Sequence, residues 1–293
     1  MQRPTKLLIT SLAVLLACTS QDASAPKADS PATGTTPDPV ATEPAVQLPD
    51  GAELLAAHVE AAGGADKIAK FDTIHAAGTV DTGEQKLRGT MQMWWQKGGK
   101  FYLEQEVEGV GKSRAGYDGT NIWIDDPITG LRILEGEEAQ SYLQSSLMFP
   151  GHDWQQHFSA ANTLGKVSDD GVEVWEVELV SKGGPNVVIG LDAKTKLIHY
   201  MKTTQVTPMG PLPIVAYAED YEAVEGYLFS MNKRSSIKAL IELKEAITTF
   251  EVNVEIDPSS FLFPSQRELV PADPTEQPKV EPPAEAPPKP APN

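Results

Sequence analysis

Between residues 87 and 107 the chain changes face at every step. Leu87, Gly89, Met91, Met93 and Trp95 alternate with Arg88, Thr90, Gln92 and Trp94, and a Gly98-Gly99 turn follows. Beyond the turn, Phe101, Leu103 and Val107 oppose Tyr102, Glu104 and Glu106. A repeat of two is the period of a strand, because successive side chains leave opposite faces. Two such runs joined by glycines predict a hairpin. Further strands are predicted at 74–80, 114–118, 121–126, 172–180, 186–191, 197–206, 213–221, 227–237 and 243–256. Most are separated by short Gly, Asn or Asp turns, too short for the crossover that a parallel pair needs, so antiparallel meanders are expected.

Helical spacing occurs in few places. Leu54, Leu55, His58, Val59 and Ala62 share one face of a helix that opens at Asp50, with Glu53 three residues on as in a capping box, and closes at Gly63-Gly64. A short second turn is expected within 65–71. Ala139, Tyr142, Leu143 and Leu147 give a helix over 136–149, and another short one is expected around 153–161. The pattern predicts a mainly β (α+β) fold: a large, strongly curled antiparallel sheet with two or three helices on one face.

Both ends read differently. Arg3 and Lys6 precede an apolar run at 7–16, too short to cross a bilayer, where about 20 residues are needed. That is the form of a secretory signal peptide. The run ends Leu15-Leu16-Ala17-Cys18, which resembles the bacterial lipobox, and the resemblance implies a lipidated Cys18 as the new N-terminus. Thr19 stands where inner-membrane retention commonly has Asp, so the resemblance implies a protein of the cell envelope, anchored in the outer membrane and facing the periplasm. Residues 18–50 are rich in Ala, Pro, Thr, Ser and Asp and read as a disordered tether, which as a coil of about 30 residues spans roughly 30 Å. Residues 265–293 are a Pro/Glu/Ala tail, read either as a solvated tail or as a docking peptide for another envelope protein. The expected division is thus signal peptide 1–17, tether 18–50, folded body 51–264 and tail 265–293.

Charge and cysteine usage narrow the chemistry. Lys and Arg total 24 against 41 Asp and Glu, a formal net charge of -17. No Lys/Arg cluster supplies the basic face that nucleic acid requires, so nucleic acid is not an expected partner. Loss of residues 1–17 removes Arg3 and Lys6 and moves the charge from -17 to -19, which disfavours anionic membrane surfaces and leaves attachment to the lipid. Cys18 is the only cysteine, so neither an intrachain disulfide nor a Cys-rich metal site is available.

The motifs that suggest catalysis or metal fall short. Gly109-Val110-Gly111-Lys112-Ser113 has the end of a P-loop, but Glu106 occupies the position of its first glycine and no helix follows, so a hairpin turn is expected. His152 and His157 are five apart, which separates them around a helix instead of aligning them for a metal. Asp125-Asp126-Pro127 and Asp169-Asp170-Gly171 read as turn residues and lack the spaced oxygens of a calcium loop. No Gly-x-Ser-x-Gly elbow occurs, so no catalytic residue, cofactor or metal is assigned and a non-enzymatic role is expected.

The order of segments carries a second resemblance. GGADKIAKFDTIHAAGTV at 63–80, a Met/Trp-rich strand, YDGTNIWIDDPITG at 117–130, a helix, and strands ending in NVEIDPSSFLFP at 253–264 resemble the lipoprotein-localisation carriers of the periplasm and their wider LolA/LolB-like superfamily. The resemblance implies an unclosed antiparallel β-barrel covered by helices, with an apolar cavity for an acyl chain, lipid or lipoprotein. The candidate lining is Met91, Met93, Trp95, Phe101, Leu103, Trp123, Trp175 and Met201 from strands, with Leu143 and Leu147 from the helix. Met suits irregular ligand surfaces. The same residues also suit a filled core, as in a tethered interaction protein, and both readings stay open. The apolar stretch 206–213 reads either as a contact loop or as a rigid strand connection.

Overall fold

A computed structural model describes residues 48–83, 86–237 and 241–267. The signal peptide, Cys18, most of the tether and the tail from residue 268 lie outside the described residues. The chain enters through α1 (Gly51–Ala62), capped by Asp50, whose Oδ1 accepts the amides of Ala52 (2.8 Å) and Glu53 (3.1 Å). Gly63, at φ 134°, ends it, and a single turn, α2 (Ala65–Ile68), follows.

Six strands come next: β1 (Thr73–Asp81), β2 (Arg88–Gln96), β3 (Lys100–Val107), β4 (Gly111–Tyr117), β5 (Ile122–Asp126) and β6 (Gly130–Leu134). Helices α3 (Gly136–Ser145) and α4 (Pro150–Asp153) and a 3-10 turn at Trp154–Gln156 lead to seven more. These are β7 (Phe158–Asp169), β8 (Val172–Ser181), β9 (Val187–Asp192), β10 (Ile198–Thr207), β11 (Gly210–Val224), β12 (Tyr227–Ile237) and β13 (Ile241–Val252). A 3-10 turn at Pro258–Phe261 and α5 (Pro264–Arg267) complete the described chain.

The sheet is antiparallel throughout, in the order β6-β5-β4-β3-β2-β1-β13-β12-β11-β10-β9-β8-β7. It is two meanders, joined where β1 pairs with β13. The outer strands β6 and β7 do not pair, so the barrel is unclosed. They are nevertheless consecutive along the chain. The connection between them therefore has to travel from one edge of the sheet to the other, and this brings α3 and α4 across the concave face.

The helices fill much of that face. Leu54 and Leu55 of α1 pack with Phe158, Val177 and Leu179 of one meander, while Val59 and Ala62 pack with Phe71, Ile74, Trp95, Tyr227 and Phe229. Ala139, Tyr142 and Leu143 of α3 rest on Phe101, Ala115, Ile122 and Leu134. Ser141 holds α3 to the other meander, its Oγ accepting Gln205 Nε2 and the Val206 amide, each at 3.0 Å. The fold is thus mainly β, a curled antiparallel sheet with helices on one face as the pattern predicts, and an unclosed half-barrel as the resemblance implies.

Four local readings need correction. The short helix expected around 153–161 lies earlier: helical turns run from Pro150 to Gln156, and the chain becomes the edge strand β7 at Phe158, because pairing with β8 overrides weak helical spacing. The short strand β6 is absent from the expected set. The last strand ends at Val252, where Asn253 adopts φ 55°. Trp123 does not face the helices. Its register neighbours Gly116 and Tyr102 share the opposite face, where Phe261 and Phe263 cover it, and Ile122 and Ile124 take the helix side. The stretch 206–213 is the β10–β11 hairpin, and 109–113 is the turn between β3 and β4 together with the start of β4.

Candidate functional site

A cleft of about 300 Å³ opens between the β2–β3 hairpin and the connection that carries α3 and α4. Its apolar wall has three sources. Trp95 and Phe101 are register partners on the helix-facing side of β2 and β3, and Tyr117 adjoins Phe101 from β4. Ile68 comes from α2. Leu143, Leu147, Met148 and Phe149 come from the end of α3 and the segment after it. The rings are interlocked: Trp95 meets Phe149 edge-on at 5.4 Å, and Phe101 stacks on Tyr142 at 6.3 Å. Gly98 and Gly99, at φ 92° and 88°, leave the hairpin tip without side chains at the mouth.

The rim is polar. Lys97 Nζ lies 3.2 Å from Asp72 Oδ1 and donates to the Ala69 carbonyl at 2.7 Å. His152 Nδ1 lies 2.7 Å from Asp153 Oδ1. Burial, aided by the nearby Lys182 ammonium and opposed by the Asp153 carboxylate, shifts the His157 imidazole below its ordinary pKa. Among the described residues no group of three His, Cys, Asp or Glu could hold a metal ion. The arrangement suits an amphiphile: an apolar body between aromatic and aliphatic walls, and a polar end at the rim. Its volume is at the lower end of the roughly 300–1,000 Å³ of small-molecule sites.

Of the residues expected to line a ligand site, Trp95, Phe101, Leu143 and Leu147 meet at this cleft. Met93 and Leu103 form the next register pair inward on the same face, and both are partly exposed. Met91 is buried with Val80 and Leu243. Trp175 and Met201 pack on the other meander, against the cluster around Leu179 and Ile189. Trp123 is on the far face. Sequence reasoning did not reach Tyr117, Met148 and Phe149. The apolar run Leu147-Met148-Phe149 just past the end of α3 was the available signal.

No family model matches the chain, and no curated protein matches it. Solved structures do. A DUF1329 family protein from Desulfovibrio piger superposes with a TM-score of 0.50 at 13% identity, over 74% of this chain and 99% of that one. A domain assigned to outer-membrane lipoprotein sorting from Vibrio parahaemolyticus gives 0.50 at 12% identity, over 74% and 98%. The chain has the LolA/LolB-like fold. At these identities the likeness is one of architecture. In this fold the cleft lies on the concave side, where the connection from β6 to β7 passes the β2–β3 hairpin.

Proposed function

We propose that this chain is a lipid-anchored protein of the bacterial envelope that holds an acyl chain, as part of a lipid or lipoprotein, in the cleft between β2–β3 and α3–α4. It acts as a non-enzymatic carrier or acceptor. Cys18 carries the anchor, and the outer membrane, facing the periplasm, is its site. The observation that carries this reading is the apolar cleft itself. Trp95, Phe101, Leu143, Leu147, Met148 and Phe149 line it, and Met93 and Leu103 follow as the next register pair on the same face of β2 and β3. Burying an acyl chain there gains about 0.8 kcal/mol per methylene, without any charged group in the wall to desolvate. The LolA/LolB-like fold supports the reading.

The test is titration of a dansyl-labelled fatty acid into the unlipidated chain, residues 19–293. Leu143→Glu places a carboxylate in the wall and should weaken binding at least about tenfold. Equal binding by both proteins would refute the assignment of the cleft.

A second reading has support from one observation. Phe71, Phe149, Tyr227 and Phe229 fill the centre of the concave face beneath α1 and α2. On that reading the body is a tethered interaction protein with a filled core, and the tail or the loops bind an envelope partner. Failure of the titration, together with loss of captured envelope proteins on deletion of 268–293, would favour it.

A further inference from the structure

The apolar lining of the concave face ends abruptly. Along β2 and β3, inward from the cleft, the register pairs run Trp95–Phe101, Met93–Leu103 and then Met91–Gln105. Leu103 touches both the Phe101 cluster and the Val80–Met91–Leu243 cluster, so the surface is continuous to that point. There Gln105 Nε2 donates to Glu245 Oε1 at 3.2 Å, and Lys233 Nζ lies 2.5 Å from Glu245 Oε2. Gln105 and Glu245 are 6% and 7% exposed, and Ser113, the register partner of Gln105 on β4, is also buried. Gln105 and Glu245 thus form a buried polar bridge between β3 and β13, continued on β12 by the exposed Lys233, with Val80, Met91 and Leu243 packed beside it.

We infer that this bridge sets the depth of the acyl compartment, so that the protein selects its ligand by chain length. The inference rests on the acyl-chain reading of the cleft. A methylene gains free energy while it meets Trp95, Phe101, Met93 or Leu103. Beyond Leu103 the next contact is a paired amide and carboxylate, whose hydrogen bond an alkyl group cannot replace. From Phe101 to Gln105 is four residues, about 13 Å of strand, so the compartment fits a medium-length chain and leaves no apolar room for the end of a long one.

The experiment compares decanoic, myristic and stearic acids by calorimetric titration into the unlipidated chain, residues 19–293, as wild type, Gln105→Ala and Met91→Ala. Circular dichroism and the unfolding midpoint of each variant establish that it is folded. Wild type should bind myristic and stearic acids within about threefold of each other. Gln105→Ala removes the side chain that reaches across and should favour stearic over myristic acid by at least about tenfold, a fraction of what four buried methylenes can supply. Met91→Ala opens the apolar plug beside the bridge and should shift the preference in the same direction if Gln105→Ala does not fold. Binding by wild type with no levelling between myristic and stearic acid, or with a length profile that no folded variant changes, overturns the depth limit and leaves the acyl reading standing. Binding of none of the three acids overturns both.

Discussion

The indole Nε1 of Trp123 donates to the carbonyl of Phe261, 3.0 Å away, and ties the end of the described chain to the face of the sheet opposite the helices. Phe263 meets the same indole edge-on at 6.4 Å, and Trp123 is fully buried. Residues 256–263 are therefore part of the folded body, covering the outer face over β3 and β5. Trp123→Phe keeps much of the ring but loses the donor and some volume. It should cost about 1–3 kcal/mol, measured as a lower urea midpoint with an unchanged slope.

Trp123 also shows where the sequence was readable and where it was not. The alternation in 87–107 gave the faces of β2 and β3 correctly, because the polar residues of these two strands, apart from Gln105, point away from the concave face. In 121–126 Trp123 shares its face with the polar Asn121 and Asp125, opposite Ile122 and Ile124, and nothing in the alternation shows that the C-terminal segment covers that outer face and buries the indole there. The signal that could have decided was a glycine: a β-carbon on Gly116 would sit 2.5 Å from the Trp123 ring, so the indole lies flat over that position. Gly190 is related in the same way to Tyr200. The candidate site divided along similar lines. The strand half of the cleft wall, Trp95 and Phe101, was legible from period and face. Of the other half, Leu143 and Leu147 were legible from helical spacing, whereas Met148 and Phe149 depend on the passage of 146–157 across the concave face, which follows from the β6 and β7 edges and leaves no periodic trace. β7 itself was missed because an edge strand with one paired side carries a weak pattern, broken here at the Thr163/Gly165 irregularity.

Ser141 is the point where α3 is fastened to the second meander. Its Oγ accepts two donors from β10, the Gln205 side chain and the Val206 amide. Ser141→Ala leaves both without an acceptor in a buried place. The expected cost is about 1–3 kcal/mol, and hydrogen exchange at the Val206 amide should accelerate well beyond exchange in β1 and β13.

His58 is buried at the packing of α1 on Gly151, with Nδ1 3.2 Å from the Lys196 carbonyl. Burial lowers its pKa from the ordinary 6.5 to about 4, against the smaller opposing effect of that carbonyl. Between these values the unfolded chain binds a proton that the folded chain does not. Stability should therefore be complete above about pH 6.5 and fall as the pH drops towards 4, by about 3 kcal/mol at most. The difference between wild type and His58→Gln in urea midpoint against pH should show this slope in the wild type alone. Parallel curves would show that His58 titrates normally.

Cys18 tests the proposed anchor. Cys18→Ser should move the protein from the membrane to the soluble fraction after osmotic release of the periplasm, because a body of net charge about -19 has little affinity for anionic lipid. Retention of the variant in washed membranes would rule out lipidation at Cys18 as the attachment.

The central claim is that the cleft between β2–β3 and α3–α4 holds an acyl chain. Its most direct test is mass spectrometry of lipids extracted from the Cys18→Ser protein, recovered from a bacterial periplasm without detergent, beside the same protein carrying Leu143→Glu. A near-stoichiometric acyl lipid is predicted in the first and little or none in the second. Absence of acyl lipid from both, or equal amounts in both, would contradict the claim.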